Sequence, residues 1–312
     1  MGQSTSKDMA VCFVIFNPAE SKRILMNYLY TVNLLNLQEI PNFTMELAFE
    51  DKPFELKKSP NVFQVRSNSY MFHKERMCRI IEKKIPKKFT KLVFMDADLI
   101  FSDNSWYEKT SNLLNTYDAV QCFENCHWMD LSYTKVMLTR PTALKMKGNV
   151  FDHMYHPGFV WAFRRDWYKK AGFFDICVSG SGDSLSVAAW MNKVFHPSFK
   201  CLPLSMKPAF DEFRKLPKPK MTYLEGIDIY HLYHGSRKNR KYVDRHRDLN
   251  INIGIYRLLA INKDGMYEWT DTRFWNKTFK DYFESREDDG YDDEELTALS
   301  ISNSSQSTHP SS

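Results

Sequence analysis

Three short segments of this chain hold side chains whose types and spacing suit chemistry. The sharpest is Asp96-Ala97-Asp98, directly after the apolar run Lys91–Met95. Two carboxylates one residue apart at the end of a strand can turn toward one point. A hard divalent cation, Mn²⁺ or Mg²⁺, takes oxygen ligands and tolerates phosphate oxygens in its shell. Such a metal bridges a protein to a diphosphate and neutralises charge on a leaving group. A solvated carboxylate pair in a turn is the competing reading. Leu99-Ile100-Phe101 follow at once, however, and acids flanked by apolar residues are costly to bury unless paired or liganded. The second segment is Gly180-Ser181-Gly182-Asp183. Its glycines let a backbone approach a ligand closely. Asp183, taken alone, reads as the N-cap of a following helix. In the third, His231 and His234 precede Gly235 and a basic run that includes Arg237 and Lys238. A loop histidine can ligate a transition metal, and Arg and Lys hold phosphates. A basic surface patch with one packed His is the plainer reading. A nucleic-acid surface is another, since aromatics interleave with the basic residues, but no nucleic-acid-binding motif accompanies the patch.

The elements that must position these residues read as follows. Val11–Phe16 is a continuous apolar run that predicts a buried strand, bounded by Asn17-Pro18. A helical pattern runs from there through Leu37. Thr44–Phe49 and Val62–Val65 predict two more strands, Phe72–Lys84 an amphipathic basic helix, and Lys91–Met95 a fourth strand. This order argues for an α/β sheet with some parallel pairing. Ligands of open α/β sheets sit at the carboxyl ends of the strands. That rule places Asn17, the region of Glu50, Arg66 to Asn68, and Asp96 to Asp98 along one crevice. Further on, Ala119–Phe123 and Phe159–Phe163 predict strands. Helices are expected from Arg165, over Ser184–Met191 and over Tyr242–Leu259. Asp211–Lys220, charged and carrying two prolines, reads as a surface loop, and Asn262–Gly265 as a turn.

Composition narrows the class. With 43% hydrophobic and 26% charged residues over 312 positions, the chain is no collagen, coiled coil or wholly disordered polymer. Only 11 glycines occur, and neither GxGxxG nor GxxxxGK[ST] is present. The six cysteines show no zinc spacing and no disulfide framework, so reduced thiols are expected. Residues 284–312 hold eight acids against Arg286, a net of −7, and subtraction from the total of +5 leaves +12 on the rest. A basic body suits an anionic ligand. The acidic, then Ser-rich end carries no apolar periodicity and reads as disordered. Met1-Gly2-Gln3-Ser4-Thr5-Ser6 fits the N-myristoylation pattern at Gly2. No signal peptide or 18-residue apolar stretch is found. The expectation is a cytoplasmic protein, not secreted, with peripheral association to a cytosolic membrane face through Gly2. The organisation expected is a leader over 1–7, one domain over 8–283, and a tail over 284–312.

In their order, the segments from Lys91 to Lys241 resemble the inverting glycosyltransferases of the GT-A fold, most closely the β-1,4-galactosyltransferase family and its bacterial and viral relatives. The matching motifs are Asp96-Ala97-Asp98-Leu99, then Pro157-Gly158-Phe159-Val160-Trp161-Ala162-Phe163 followed by Ala171-Gly172-Phe173, then Gly182-Asp183, then His234-Gly235-Ser236-Arg237. The resemblance covers about half the chain with motifs; the N-terminal strands fit in order only. It implies a single Rossmann-like nucleotide-sugar-binding domain with a mixed central sheet. It further implies that Asp98 and His234 ligate the metal, with Asp96 contacting the metal or the ribose. Asp183 would be the base that deprotonates the acceptor hydroxyl, and Gly158 would let the backbone approach the sugar. Arg237 and Lys238 would lie near the diphosphate. Asn17 and Pro18 would border the nucleobase, with Glu50, Arg66 and Lys74 in the nucleotide site. Trp128, His156, Trp161 and Gly182 are candidates for sugar and acceptor contacts, whereas Trp190 reads as core.

Two features depart from the family. Gly182 stands where it has a Glu before the catalytic Asp, and its Trp-rich loop is missing, so the family's donor does not carry over. The implied activity is a metal-dependent inverting transfer of a sugar from a nucleotide sugar, UDP-sugars first, to a hydroxyl of a glycan or other acceptor. Mn²⁺ or Mg²⁺ would serve, and no nucleic acid is expected as partner. The alternatives are a retaining GT-A enzyme, a sugar nucleotidyltransferase and a non-catalytic nucleic-acid-binding protein. The nucleotidyltransferases' Gly-rich basic loop after the first strand is absent, since Phe16 runs into Asn17-Pro18-Ala19-Glu20.

Overall fold

The computed structural model describes residues 7–235 and 244–290. Gly2, Arg237 and Lys238 therefore lie outside the described residues, as does the tail from residue 291. No helix among the described residues is long and apolar enough to cross a membrane.

A seven-stranded mixed sheet forms the centre. Strands β1 (Met9–Phe16), β2 (Asn42–Phe49), β3 (Val62–Ser67) and β4 (Lys91–Met95) run parallel in the order β4-β1-β2-β3. The runs of β1 and, after Lys91, of β4 are continuously apolar because both sheet faces are covered at the centre. Alternate residues serve opposite cores. Ala10 and Cys12 pack toward helix α2 (Lys74–Lys84), and Met9, Val11 and Phe13 toward helix α1 (Lys22–Leu37). Beyond β4 the sheet reverses. After β5 (Leu99–Phe101), helix α3 (Trp106–Leu113), β6 (Ala119–Gln121), β7 (Asn125–Met129) and β8 (Val136–Pro141), strand β9 (Val160–Arg164) lies antiparallel to β4 and to β6. The start of β9 thus lies at the same edge as the end of β4, and Asp96 N–H donates to Phe159 O at 2.9 Å. Helices α4 (Arg165–Lys170), α5 (Gly182–Trp190) and α6 (Lys207–Phe213) follow, then β10 (Met221–Tyr223), which completes the sheet beside β6. A second sheet orders β5, β11 (Ile229–His231), β7 and β8. A hairpin of β12 (Leu259–Ile261) and β13 (Tyr267–Trp269) turns through Asn262–Gly265 and leads to helix α7 (Thr272–Glu284).

Several boundaries differ from the sequence reading. The described part of Tyr242–Leu259 is not one helix. It forms two 3₁₀ turns, Asp244–Leu249 and Ile255–Arg257. Ser205 takes the backbone between them, its N–H donating to Leu249 O and its carbonyl accepting from Ile255 N–H. The expected loop from Asp211 begins inside α6, which Pro208 starts and buried Phe210 and Phe213 anchor.

The chain also stays docked past residue 283. Asp288 is buried and pairs with Arg286 at 2.7 Å. Asp289 accepts hydrogen bonds from the Ser21 hydroxyl (2.7 Å) and the N–H groups of Lys22 (3.0 Å) and Arg23 (2.9 Å). The first turn of a helix leaves N–H groups without intrahelical partners and carries a partial positive charge, so a carboxylate is stabilised there. The acidic segment thus serves α1 as a remote cap.

Candidate functional site

Strand register brings the first and third chemical segments together. Leu99 pairs with His231 across β5 and β11, and Leu232 N–H donates to Asp98 O at 2.8 Å. His234 Nε2 consequently lies 2.9 Å from Asp98 Oδ2, His231 Nε2 lies 3.4 Å from it, and the two imidazole nitrogens are 3.1 Å apart. One ligand atom from each of Asp98, His231 and His234 falls within 4.8 Å of the others. Asp98 Oδ1 is buried with no hydrogen-bond partner. Burial pushes the Asp98 carboxyl up, but the two histidines beside it hold it well below the usual carboxylate range. One carboxylate oxygen with two imidazole nitrogens suits a divalent transition metal, Mn²⁺ among them, better than Mg²⁺, and the orphaned oxygen fits a cation. His231 was missing from the sequence-derived ligand set, which held Asp96 instead. Asp96 is not in the cluster. Its Oδ1 meets Lys74 Nζ at 2.5 Å, at the start of α2. Burial would discharge that ammonium, yet Asp96, Asp183 and Glu75 around it hold it above its ordinary range.

Asp96, Lys74 and Asp183 share a cleft of about 510 Å³ with Glu75, Trp128, Arg140, His156, Arg245 and Arg286. Asp183 stands at the second position of α5. Ser181 holds the N-cap position in a left-handed conformation (φ 69°) without a capping bond. Asp183 is therefore not the cap that its sequence context suggests; its Oδ1 accepts from the next N–H, that of Ser184, at 2.7 Å. Asp183 has no ion-pair partner among the described residues. Gly158 faces it, and a Cβ there would overlap Asp183 Oδ2. The Gly158 loop is fixed from below. Buried Gln121, at the end of β6, donates to His156 O (2.8 Å) and Gly158 O (3.3 Å), and His156 Nδ1 accepts from Gly158 N–H at 2.9 Å. Gly158→Ala is accordingly expected to displace Asp183 and lower turnover without unfolding the protein. Kinetics set beside a melting curve would check it, and unchanged kinetics would show that the contact is unimportant.

The other expected residues divide. Trp128 and His156 line the cleft, their rings 5.0 Å apart. Trp161 does not serve as a sugar platform, because it is 2% exposed and packs edge-on against Trp190. Asn17 and Pro18 border a separate cavity of about 320 Å³ with Phe49, Lys52 and Glu55 at the ends of β1 and β2. Glu50 and Arg66 line neither cavity. Lys280 pairs with Glu50 at 2.8 Å, and Arg66 donates to the carbonyls of Glu50 and Lys52. Both knit the far end of the sheet. Arg245 and Arg286 were not foreseen, nor was Glu75. Arg245 stacks over Phe72 at 4.5 Å, and Arg286 is held by Asp288 in the segment after α7.

No protein-family model and no curated protein sequence matches the chain. Among solved structures it is similar to a Drosophila β-1,4-galactosyltransferase 7 variant in complex with manganese, UDP-Gal and xylobiose, at 11% identity over 82% of this chain and 86% of that one, with a TM-score of 0.39. A nucleotide-diphospho-sugar transferase from Desulfovibrio desulfuricans gives 14% identity, 51% and 64% coverage and a TM-score of 0.29. A 4-diphosphocytidyl-2C-methyl-D-erythritol synthase from Anaerococcus prevotii gives 14%, 78% and 97%, and 0.30. At these values no residue's role passes from them to this chain.

Proposed function

We propose that the protein is a metal-dependent glycosyltransferase that moves a sugar from a nucleotide sugar to a hydroxyl acceptor with inversion. One observation carries the reading. A cluster of metal-ligand type, Asp98, His231 and His234, stands two residues from Asp96 in the wall of a cleft where the carboxylate of Asp183 has no ion-pair partner among the described residues. A divalent ion bound at the cluster would neutralise charge on the leaving diphosphate. The chain's own groups do the rest. Lys74, Arg245 and Arg286 supply positive charge to the cleft, which suits an anionic leaving group. Asp183 accepts the proton of the attacking hydroxyl, as a general base must. Gly158 keeps the space in front of that carboxylate free of a side chain. UDP-sugars are the first donors to test.

Release of UDP from a panel of UDP-sugars should occur with Mn²⁺ and stop on chelation. A nucleotidyltransferase would instead form or consume pyrophosphate. Pyrophosphate exchange without UDP release would replace this reading with that one.

A further inference from the structure

Glu75, the second residue of α2, is 5% exposed and lies in the cleft with Asp183. Its carboxyl group occupies the room that Gly182 leaves open. A Cβ on Gly182 would stand 2.5 Å from Glu75 Oε1 and 2.6 Å from Oε2, far inside contact distance. No ion pair joins Glu75 to another described residue. An acid buried in this way is costly, and an apolar side chain at this position of α2 would avoid the cost.

We propose that Glu75 is a second carboxyl of the acceptor subsite, carried by α2 into the space over Gly182 and standing beside Asp183 to hold the incoming acceptor. The inference rests on Asp183 being the base. Gly182, the residue before Asp183 on α5, has no side chain, and the Glu75 carboxyl fills that space from α2. Burial pushes Glu75 up to about 7, Lys74 opposes this, and Asp183 adds to it. The other groups facing it are Cys78 on its own helix, Cys177 from the loop before α5, and Asp96 from the end of β4. Below about 7 Glu75 holds a proton, and Asp183, as the base, takes one from the acceptor. The pair then offers one O–H donor beside a carboxylate. The chemistry that fits is a sugar with two neighbouring oxygens, one accepting from Glu75 and the other giving its proton to Asp183. Glu75 positions the acceptor, and Asp183 does the proton transfer.

The sign of the pH dependence follows from linkage. An acid whose folded pKa lies above its unfolded value costs no stability at low pH. The cost grows as pH rises between the two values, here from the usual Glu range of about 4.3 to about 7. Glu75→Gln removes that cost, so its melting temperature relative to wild type should climb across this window and level off above it.

The test uses the full chain. ¹³C NMR of the Glu carboxyl carbons, with Glu75→Gln for assignment, should show Glu75 titrating near neutrality and lower in Asp183→Asn. Donor turnover in wild type should fall about tenfold per pH unit above that midpoint, as expected for one required proton, and Glu75→Gln should lack the limb. A Glu75 midpoint in the ordinary carboxylate range, unmoved by Asp183→Asn, overturns the proposal, as does an unchanged alkaline limb in Glu75→Gln. Failure of the base assignment looks different. Asp183→Asn would then transfer sugar normally, whatever Glu75 does.

Discussion

Asp183→Asn is expected to lower sugar transfer by about 10²–10⁴-fold, the usual contribution of a positioned general base, while melting temperature and metal-dependent nucleotide binding stay at wild-type values. In an inverting transfer the acceptor oxygen attacks the anomeric carbon from the face opposite the diphosphate and must shed its proton as it does so. Asn keeps the shape of Asp but cannot take that proton. It also keeps the oxygen that accepts the Ser184 N–H, so the first turn of α5 retains its hydrogen bond. Loss of helix capping cannot imitate the effect, because the cap position belongs to Ser181. Initial rates at saturating donor, set beside a thermal melt and a binding isotherm, separate chemistry from folding. Near-wild-type transfer would remove Asp183 from the mechanism. The anomeric configuration of the product, read by NMR, is an independent check, and retention would exclude the inverting assignment.

Strands β1 and β4 were legible because a strand covered on both faces is apolar along nearly its whole length. The runs at Val11–Phe16 and Lys91–Met95 have no other ready use. The Asp-x-Asp segment was legible for the same reason, as acids abutting such a run are conspicuous. His231 was not. It ends an apolar strand, Ile229–His231, so it reads as a packed histidine until the β5–β11 register sets it beside Asp98. The spacing His231-x-x-His234 is the available signal, but the resemblance assigns only His234 to the metal and gives His231 no role.

Glu75 was hidden differently. It sits among Lys74, Arg76 and Arg79 on a helix that reads as amphipathic with a basic outer face. Only the missing side chain at Gly182, 107 positions away in the sequence by subtraction, hinted at room for it. The docked segment after α7 was illegible for a related reason. An acidic run without periodicity gives no sign that Asp289 will meet the N–H groups of Lys22 and Arg23. Local pattern reports the face an element buries. It does not report which distant element brings a polar group to that face.

Metal-dependent nucleoside diphosphate binding should be lost in Asp98→Asn, in His234→Ala and, equally, in His231→Ala. The equality is the informative part. If His231 were only a packed residue of β11, its removal would cost stability and leave metal affinity alone. If it is a ligand, its loss should weaken Mn²⁺ binding by more than the 10–100-fold typical of losing an outer-shell partner. The geometry favours the ligand role, since both imidazole nitrogens converge on Asp98 Oδ2 while its Oδ1 has no hydrogen bond. Lys74→Ala is the contrasting variant. It breaks the ion pair with Asp96 but touches none of the three ligand atoms, so it should weaken nucleotide binding while leaving Mn²⁺ affinity measured without nucleotide unchanged. Acidification should weaken Mn²⁺ binding in wild type, because imidazole must be neutral to ligate. Titration calorimetry with Mn²⁺ alone, then with UDP added, reads each of these separately. Wild-type Mn²⁺ affinity in both histidine variants would show that the cluster is a hydrogen-bonded structural triad and that the cation, if the reaction uses one, binds elsewhere.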